Sequence, residues 1–354
     1  MIAEYSIPVT RAGKSKLKDT PSENMPFGKY FTDHMLVADY EDGEWKKVEI
    51  VPYAPLSFEP SLAALHYGQA IFEGIKAYKA EDGKISIFRP YDNFKRFNIS
   101  AKRMEMPEVP EGLFIEGMRQ LISVDKDWIP SKRDHSLYIR PFMISTDEMI
   151  GVRPSEKYKF IIILCPTGPY YAAPMRIYVE EKYTRAAPGG VGFAKNAGNY
   201  GGSMHATSVA KSQGYDQVLW TDANEHKYVQ EIGTMNVFFI IDGKAYTPDL
   251  ESGTILEGVT RDSAITILEE LGYPVIQGPI HIDNVIKAYE KGTLTEMFGT
   301  GTAATISMIK ELKYQEYVMK FPEEKWNAAL ALKARLDSIR QGGAEDVYGW
   351  MLEV

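Results

Sequence analysis

The chain has 354 residues, 44% apolar and 12% aromatic, more than a single core comfortably holds, so two folded domains are expected. Its 48 acidic residues against 40 basic ones leave a net charge of -8, and no stretch interleaves lysine and arginine with aromatics, which argues against nucleic acid as a partner. Cys165 is the only cysteine, which excludes an intrachain disulfide, a CxxC redox pair and a cysteine-rich zinc site.

The first 25 or so residues are polar and read as an extension that covers something or stays mobile. They hold no apolar run long enough for a signal peptide, and no later run approaches a membrane span, so a cytoplasmic soluble protein is expected. Beyond them, LVADY, KISIF, SLYIRPFMI and KFIIILC predict strands, while DNFKRFNISAKRME and EGLFIEGMRQLISV space their apolar residues as amphipathic helices do. This half has the pattern of an α+β domain over residues 1–165. PTGPYYAAPM, dense in proline, glycine and alanine, predicts a connection over 166–178. The second domain, 179–354, again mixes strands (QVLW, NVFFII, KAYT) with helices (RDSAITILEELG and the long EEKWNAALALKARLDSIR). No repeat at a fixed period is present.

Several segments carry residues suited to chemistry, each beside an ordinary structural alternative. LHYGQAIFEGIKAY gathers His66, Tyr67, Phe72 and Glu73, and SLYIRPFMI puts Tyr138 and Arg140 on one strand face, either to receive a carboxylate or to form a structural salt bridge. GGVGFAKNAGNYGG sets Lys195 among six glycines. That lysine is either a nucleophilic amine presented at a cleft or a solvated residue on a loop, and Ala194 excludes a Walker A reading. Glu231 precedes the apolar run of NVFFII, suited to holding a ring nitrogen protonated or to a plain strand end. Gly258, Val259 and Thr260 lead a patterned helix, either a phosphate seat or simply a helix start. FGTGTAA at 298–304 satisfies G-x-G-x-x-A, yet only about fifty residues follow, too few for a dinucleotide fold, so an anion nest suits it better. The six histidines show no metal-ligand spacing, so no metal is expected.

LHYGQAIFEG, FRPYDNFKRF, LYIRP, GGVGFAKNAGNYG, QEIGTMNVF, LEGVTRDS and FGTGTAATIS, in this order, span most of the chain from about residue 30. Together they resemble the branched-chain aminotransferases of the fold type IV pyridoxal-phosphate enzymes. The resemblance implies a two-domain α+β / α/β fold like that of D-amino-acid aminotransferase, a second domain that binds pyridoxal 5'-phosphate, and Lys195 as its Schiff-base lysine and proton shuttle. It implies further that Tyr200 bonds the cofactor's phenolic oxygen, that Glu231 pairs with the pyridine nitrogen with Thr234 nearby, and that Arg96, Val259, Thr260 and Thr302 hold the phosphate.

By the same similarity Tyr138, Thr302 and the amide of Ala303 receive the substrate α-carboxylate, Tyr67 and Phe72 wall an apolar pocket, and Arg140 takes the distal carboxylate of glutamate. Ile150 and Val152 match positions lent from a neighbouring subunit, which implies a homodimer. The implied reaction is ping-pong transamination between L-leucine, L-isoleucine or L-valine and 2-oxoglutarate. The chain departs from some members at Ala304 and Ser307, where those carry CxxC, and at Glu257, where others carry proline. A D-amino-acid aminotransferase or aminodeoxychorismate lyase would share the lysine, but LYIRP and QEIGTMN favour the branched-chain group. A nicotinamide oxidoreductase using GTGTAA, or a binding protein without turnover, are the rivals of other classes.

Overall fold

The computed structural model describes residues 7–21, 25–170 and 173–354. Parts of the expected N-terminal extension and of the 166–178 connection lie outside the described residues. The chain divides into two compact units: one runs to Tyr170 and also takes Ala194–Ala197 and Ile339–Val354, and the other takes the stretch up to Phe193 and then Gly198–Ser338. Lys195 and the C-terminal segment therefore cluster with the first unit, whereas sequence order places both in the second domain.

The first unit contains β1 (His34–Glu41), β2 (Glu44–Pro52), α1 (Ala63–Tyr67), β3 (Ala70–Phe72), β4 (Ile75–Lys79), β5 (Ile85–Phe88), α2 (Pro90–Arg103), α3 (Glu111–Val124), β6 (Ser136–Ser145) and β7 (Tyr158–Thr167). Its sheet is eight-stranded, in the order Met351–Glu353, β5, β4, β6, β7, β1, β2, with β3 pairing β6 off the path. All of these pairings are antiparallel. Alternation along the strands sends Ile75, Ala77, Ile87, Leu137 and Ile139 into the core against α2 and α3, where Phe97, Phe114 and Phe160 meet with ring centroids 5.4 to 5.9 Å apart. The opposite face of β6 is thereby left to Tyr138 and Arg140. The described part of the N-terminal extension is strapped down: Val9 bridges Ile50, and Ala12 N donates to His34 Nε2 at 2.9 Å.

The second unit contains β8 (Met175–Val179), nearly all of α4 (Ala197–Ser212), β9 (Gln217–Thr221), β10 (Val229–Ile232), β11 (Met235–Ile241), β12 (Lys244–Thr247), α5 (Val259–Glu270), β13 (Val275–Gln277), α6 (Ile282–Glu290), β14 (Leu294–Gly301), β15 (Thr305–Tyr314), β16 (Tyr317–Lys320) and α7 (Ala328–Arg340), whose last two residues belong to the first unit. Its nine-stranded sheet runs β10, β9, β8, β15, β14, β11, β12, β13, with β16 on β15, and an added β10–β11 pairing closes the path on itself. Strand β8 occupies residues that the sequence reads as linker. Helix α7 is shorter than its pattern: Glu323–Lys325 form a separate 3-10 turn and the helix begins only at Ala328, where Glu296 receives the first two amides at 2.9 Å each. The glycine-rich stretch at 298–304 ends β14 and turns into antiparallel β15, so no helix follows it as a dinucleotide fingerprint demands.

Candidate active site

In the first unit the constellation grows from α2 and β3. Arg89 at φ 48° leads into Pro90, whose missing N–H costs nothing at the first helical position. Helical spacing then places Asn93, Arg96 and Ser100 on one face. Arg96 donates through Nε to Glu73 Oε1 at 2.7 Å and through Nη2 to Oε2 at 2.8 Å, while Asn93 Nδ2 donates to Oε2 at 2.9 Å. Ser100 Oγ accepts from Lys195 N at 2.9 Å, and Phe72 N donates to the Lys195 carbonyl at 3.0 Å. Lys195 is thus pinned by the backbone on both sides, which rules out the reading of a loose surface loop.

The side chain of Lys195 lies with Nζ 5.0 Å from the Phe72 ring centroid, and Arg140 Cζ lies 4.5 Å from the same centroid. Arg140 Nη2 donates to Tyr138 Oη at 2.9 Å. Its Nε is buried and makes no hydrogen bond, an orphaned donor suited to a carboxylate. A Cβ on Gly74 would stand 2.2 Å from Tyr138 Oη, so that position needs glycine for the tyrosine to approach. Phe27 and Tyr170 complete the aromatic group, Phe27 standing edge-on to Tyr138 at 4.7 Å and to Tyr170 at 5.0 Å. Sequence reasoning missed both, because one lies in irregular chain and the other in the proline-rich connection. Tyr67, at 41% exposed, ends α1, and Ile150 and Val152 are 67% and 90% exposed beyond β6.

The second unit builds its constellation on the β10–β11 hairpin. Glu231 lies inside β10 rather than ahead of a strand, buried and paired in register with Asn236. Its Oε1 accepts from Leu256 N at 2.8 Å, and Asn236 Nδ2 donates to the Leu256 carbonyl at 2.9 Å. This grip delivers Gly258 to the start of α5, where a Cβ would stand 2.0 Å from Asn236 Oδ1. Val259 and Thr260 open the helix, both buried, and no side chain caps it from Gly258. Arg185 Nε lies 3.2 Å from Glu231 Oε2, at ion-pair distance without hydrogen-bond alignment. Thr300, opposite Asn236, has a buried Oγ1 with no partner, and Thr302 and Ala303 form the turn that follows. Tyr200 is partly buried on α4, and Thr234 is exposed in the hairpin turn, apart in burial from Glu231.

Each unit by itself holds groups that suit part of a phosphorylated pyridine aldehyde: the first an amine on a pinned backbone, the second a buried carboxylate and a helix that begins at a glycine. Among the described residues no group of three or more His, Cys, Asp or Glu is placed to hold a metal ion, and no helix is long and apolar enough to cross a membrane.

A family profile described as amino-transferase class IV matches residues 70–312. A Staphylococcus epidermidis protein named probable branched-chain-amino-acid aminotransferase is 49% identical over 348 residues, covering 96% of this chain and 97% of that protein. The crystal structure of the Escherichia coli branched-chain amino acid aminotransferase superposes with a TM-score of 0.75 at 27% identity, covering 90% of this chain and 98% of that one. The branched-chain amino acid aminotransferase of T.th., complexed with N-(5'-phosphopyridoxyl)-L-glutamate, superposes with a TM-score of 0.72 at 27% identity, covering 89% and 97%.

The Glu73 carboxylate is fully buried, and burial alone would push its pKa up; Arg96, with Lys195 and the Asn93 amide, outweighs this and holds it below the ordinary range. A depressed folded-state value means stability that is present above the unfolded value and is lost as pH falls through the folded one. Glu73→Gln should therefore cost about 3–5 kcal/mol near neutral pH by leaving a buried guanidinium unpaired. In urea unfolding, the gap to wild type should narrow as pH falls below about 4.5. A gap that stays constant into acid would contradict the pairing.

Proposed function

The chain belongs to the class IV aminotransferases, and on that premise we propose that it exchanges amino groups between L-leucine, L-isoleucine or L-valine and 2-oxoglutarate, in ping-pong order. The observation that carries the reading is the Phe72 ring, against which both the Lys195 amine and the Arg140 guanidinium lie. An apolar wall beside a reactive amine suits a branched side chain. Arg140, with its orphaned Nε, suits the distal carboxylate of glutamate, so one pocket serves both partners of the exchange.

Pyridoxal 5'-phosphate, when bound, supplies the electron sink for the charge left at the substrate α-carbon. Lys195 Nζ would hold it covalently and, once released, move the α-proton as base and then acid. Glu231 would keep a proton on the pyridine nitrogen, its own charge favoured by the Leu256 amide and Arg185. Tyr200 would bond the phenolic oxygen. Arg96, the amides of Val259 and Thr260, and Thr302 would hold the phosphate, and Thr234 would stand in the turn after Glu231. Tyr138, Thr302 and the Ala303 amide would take the α-carboxylate, with Tyr67 beside Phe72 at the side chain. The relatives' names support the substrate class, and the phosphopyridoxyl-glutamate complex of the T.th. enzyme supports the cofactor and the acidic partner.

Purified protein loaded with pyridoxal phosphate should show a visible band that is absent in Lys195→Ala. L-leucine should abolish the band and 2-oxoglutarate should restore it. A lysine-dependent band indifferent to leucine would overturn the substrate, and no such band would overturn the cofactor.

The exposed Ile150 and Val152 support a homodimer that covers them, each subunit lending these residues to its partner's pocket. Wild type should sediment as a dimer and Val152→Asp as a monomer. A monomeric wild type would contradict the assembly.

A further inference from the structure

We propose that Glu73 is a positioning residue for the cofactor phosphate, acting through Arg96 by fixing the plane and direction of its guanidinium. The inference rests on the cofactor reading above. Glu73 is fully buried and saturated by donors: Arg96 Nε and Nη2, Asn93 Nδ2, and the Gly74 amide at 3.0 Å. Both of its oxygens are engaged, Oε1 by one donor and Oε2 by three, and the side chain is closed off from solvent. A guanidinium is planar, so holding its Nε–Nη2 edge in a two-pronged fork also sets where Nη1 points. Asn93, one helical turn earlier, holds the carboxylate from rotating within that fork.

The same helix face ties this geometry to the reactive lysine. Ser100 Oγ donates to the Arg96 carbonyl at 3.0 Å and accepts from Lys195 N, while Phe72, the residue before Glu73, donates to the Lys195 carbonyl. Glu73, Arg96 and the Lys195 peptide thus form one closed set of contacts within the first unit. An aldehyde attached to Lys195 and a phosphate held by Arg96 belong to one molecule, so this set presets the distance between its two points of attachment.

Charge gives the proposal a sign that can fail. Glu73 neutralises Arg96, so the pair offers a phosphate direction rather than excess positive charge. Neutralising Glu73 would strengthen phosphate binding if charge ruled and weaken it if orientation rules.

The test uses the apo form of the full chain, with dissociation constants for pyridoxal phosphate and for pyridoxal, which lacks the phosphate, measured by absorbance titration. Glu73→Gln should weaken pyridoxal phosphate about tenfold or more, as loss of an outer partner of a ligating group does, and leave pyridoxal nearly unchanged. That selective loss should vanish in an Arg96→Gln background. Unchanged or tighter binding of pyridoxal phosphate, or equal weakening of both aldehydes, would overturn the proposal. Where Glu73→Gln alone is too unstable, Arg96→Gln is compared with the Arg96→Gln/Glu73→Gln double variant, which buries no unpaired charge. Equal discrimination between the aldehydes supports the proposal, and a further loss in the double variant overturns it. A wild type that does not prefer pyridoxal phosphate to pyridoxal would overturn the cofactor reading and this proposal with it, whereas the other outcomes leave that reading standing.

Discussion

The buried fork between Glu73 and Arg96 is the interaction on which the rest of the first-unit site depends. Removing two ions from water costs several kcal/mol each, and the pair is tolerable only when geometry and hydrogen bonds are complete. Here they are: two bonds from the guanidinium, one from Asn93 and one from the Gly74 amide. That completeness orients α2 against the chain around β3. It also brings Ser100 to the amide of Lys195. The lysine is consequently held on both sides of its peptide by Ser100 and Phe72.

The second unit grips a peptide with one carboxylate and one amide. A single peptide, at Leu256, is gripped from one side by Glu231 and from the other by Asn236, neighbours across the β10–β11 hairpin. This places a buried carboxylate beside the start of a helix whose first residue before the turn is glycine. The carboxylate and the helix start come from the same two strands and one loop. Lys195, Arg96 and Arg140 lie in the first unit, and Glu231 and the start of α5 lie in the second.

Much of this was legible in the sequence where periodicity and local spacing govern. EGLFIEGMRQLISV is helix α3 residue for residue, because Pro110 precedes it and its apolar residues repeat at helical intervals. Tyr138 and Arg140 do share a strand face. The start of α7 was not legible: the apolar pattern runs back through Trp326, and only the reach of Glu296 from a distant strand decides where the helix begins. That Glu231 lies inside a strand was not legible, because Val229–Ile232 is too short to show alternation, and its partner Leu256 is 25 residues away. Glu73 carried no local sign of its role, since its fork to Arg96 spans 23 residues. The return of Ala194–Ala197 to the first unit is a tertiary fact that no window of residues encodes.

The central claim is that Lys195 is the residue that holds the cofactor. The direct measurement is reduction of the loaded protein with borohydride, followed by proteolysis and mass mapping of every lysine-containing peptide. The account predicts one phosphopyridoxyl-labelled peptide, carrying the label on Lys195, and none when excess L-leucine is added before reduction. Label spread over surface lysines, or concentrated on a lysine other than Lys195, would contradict it.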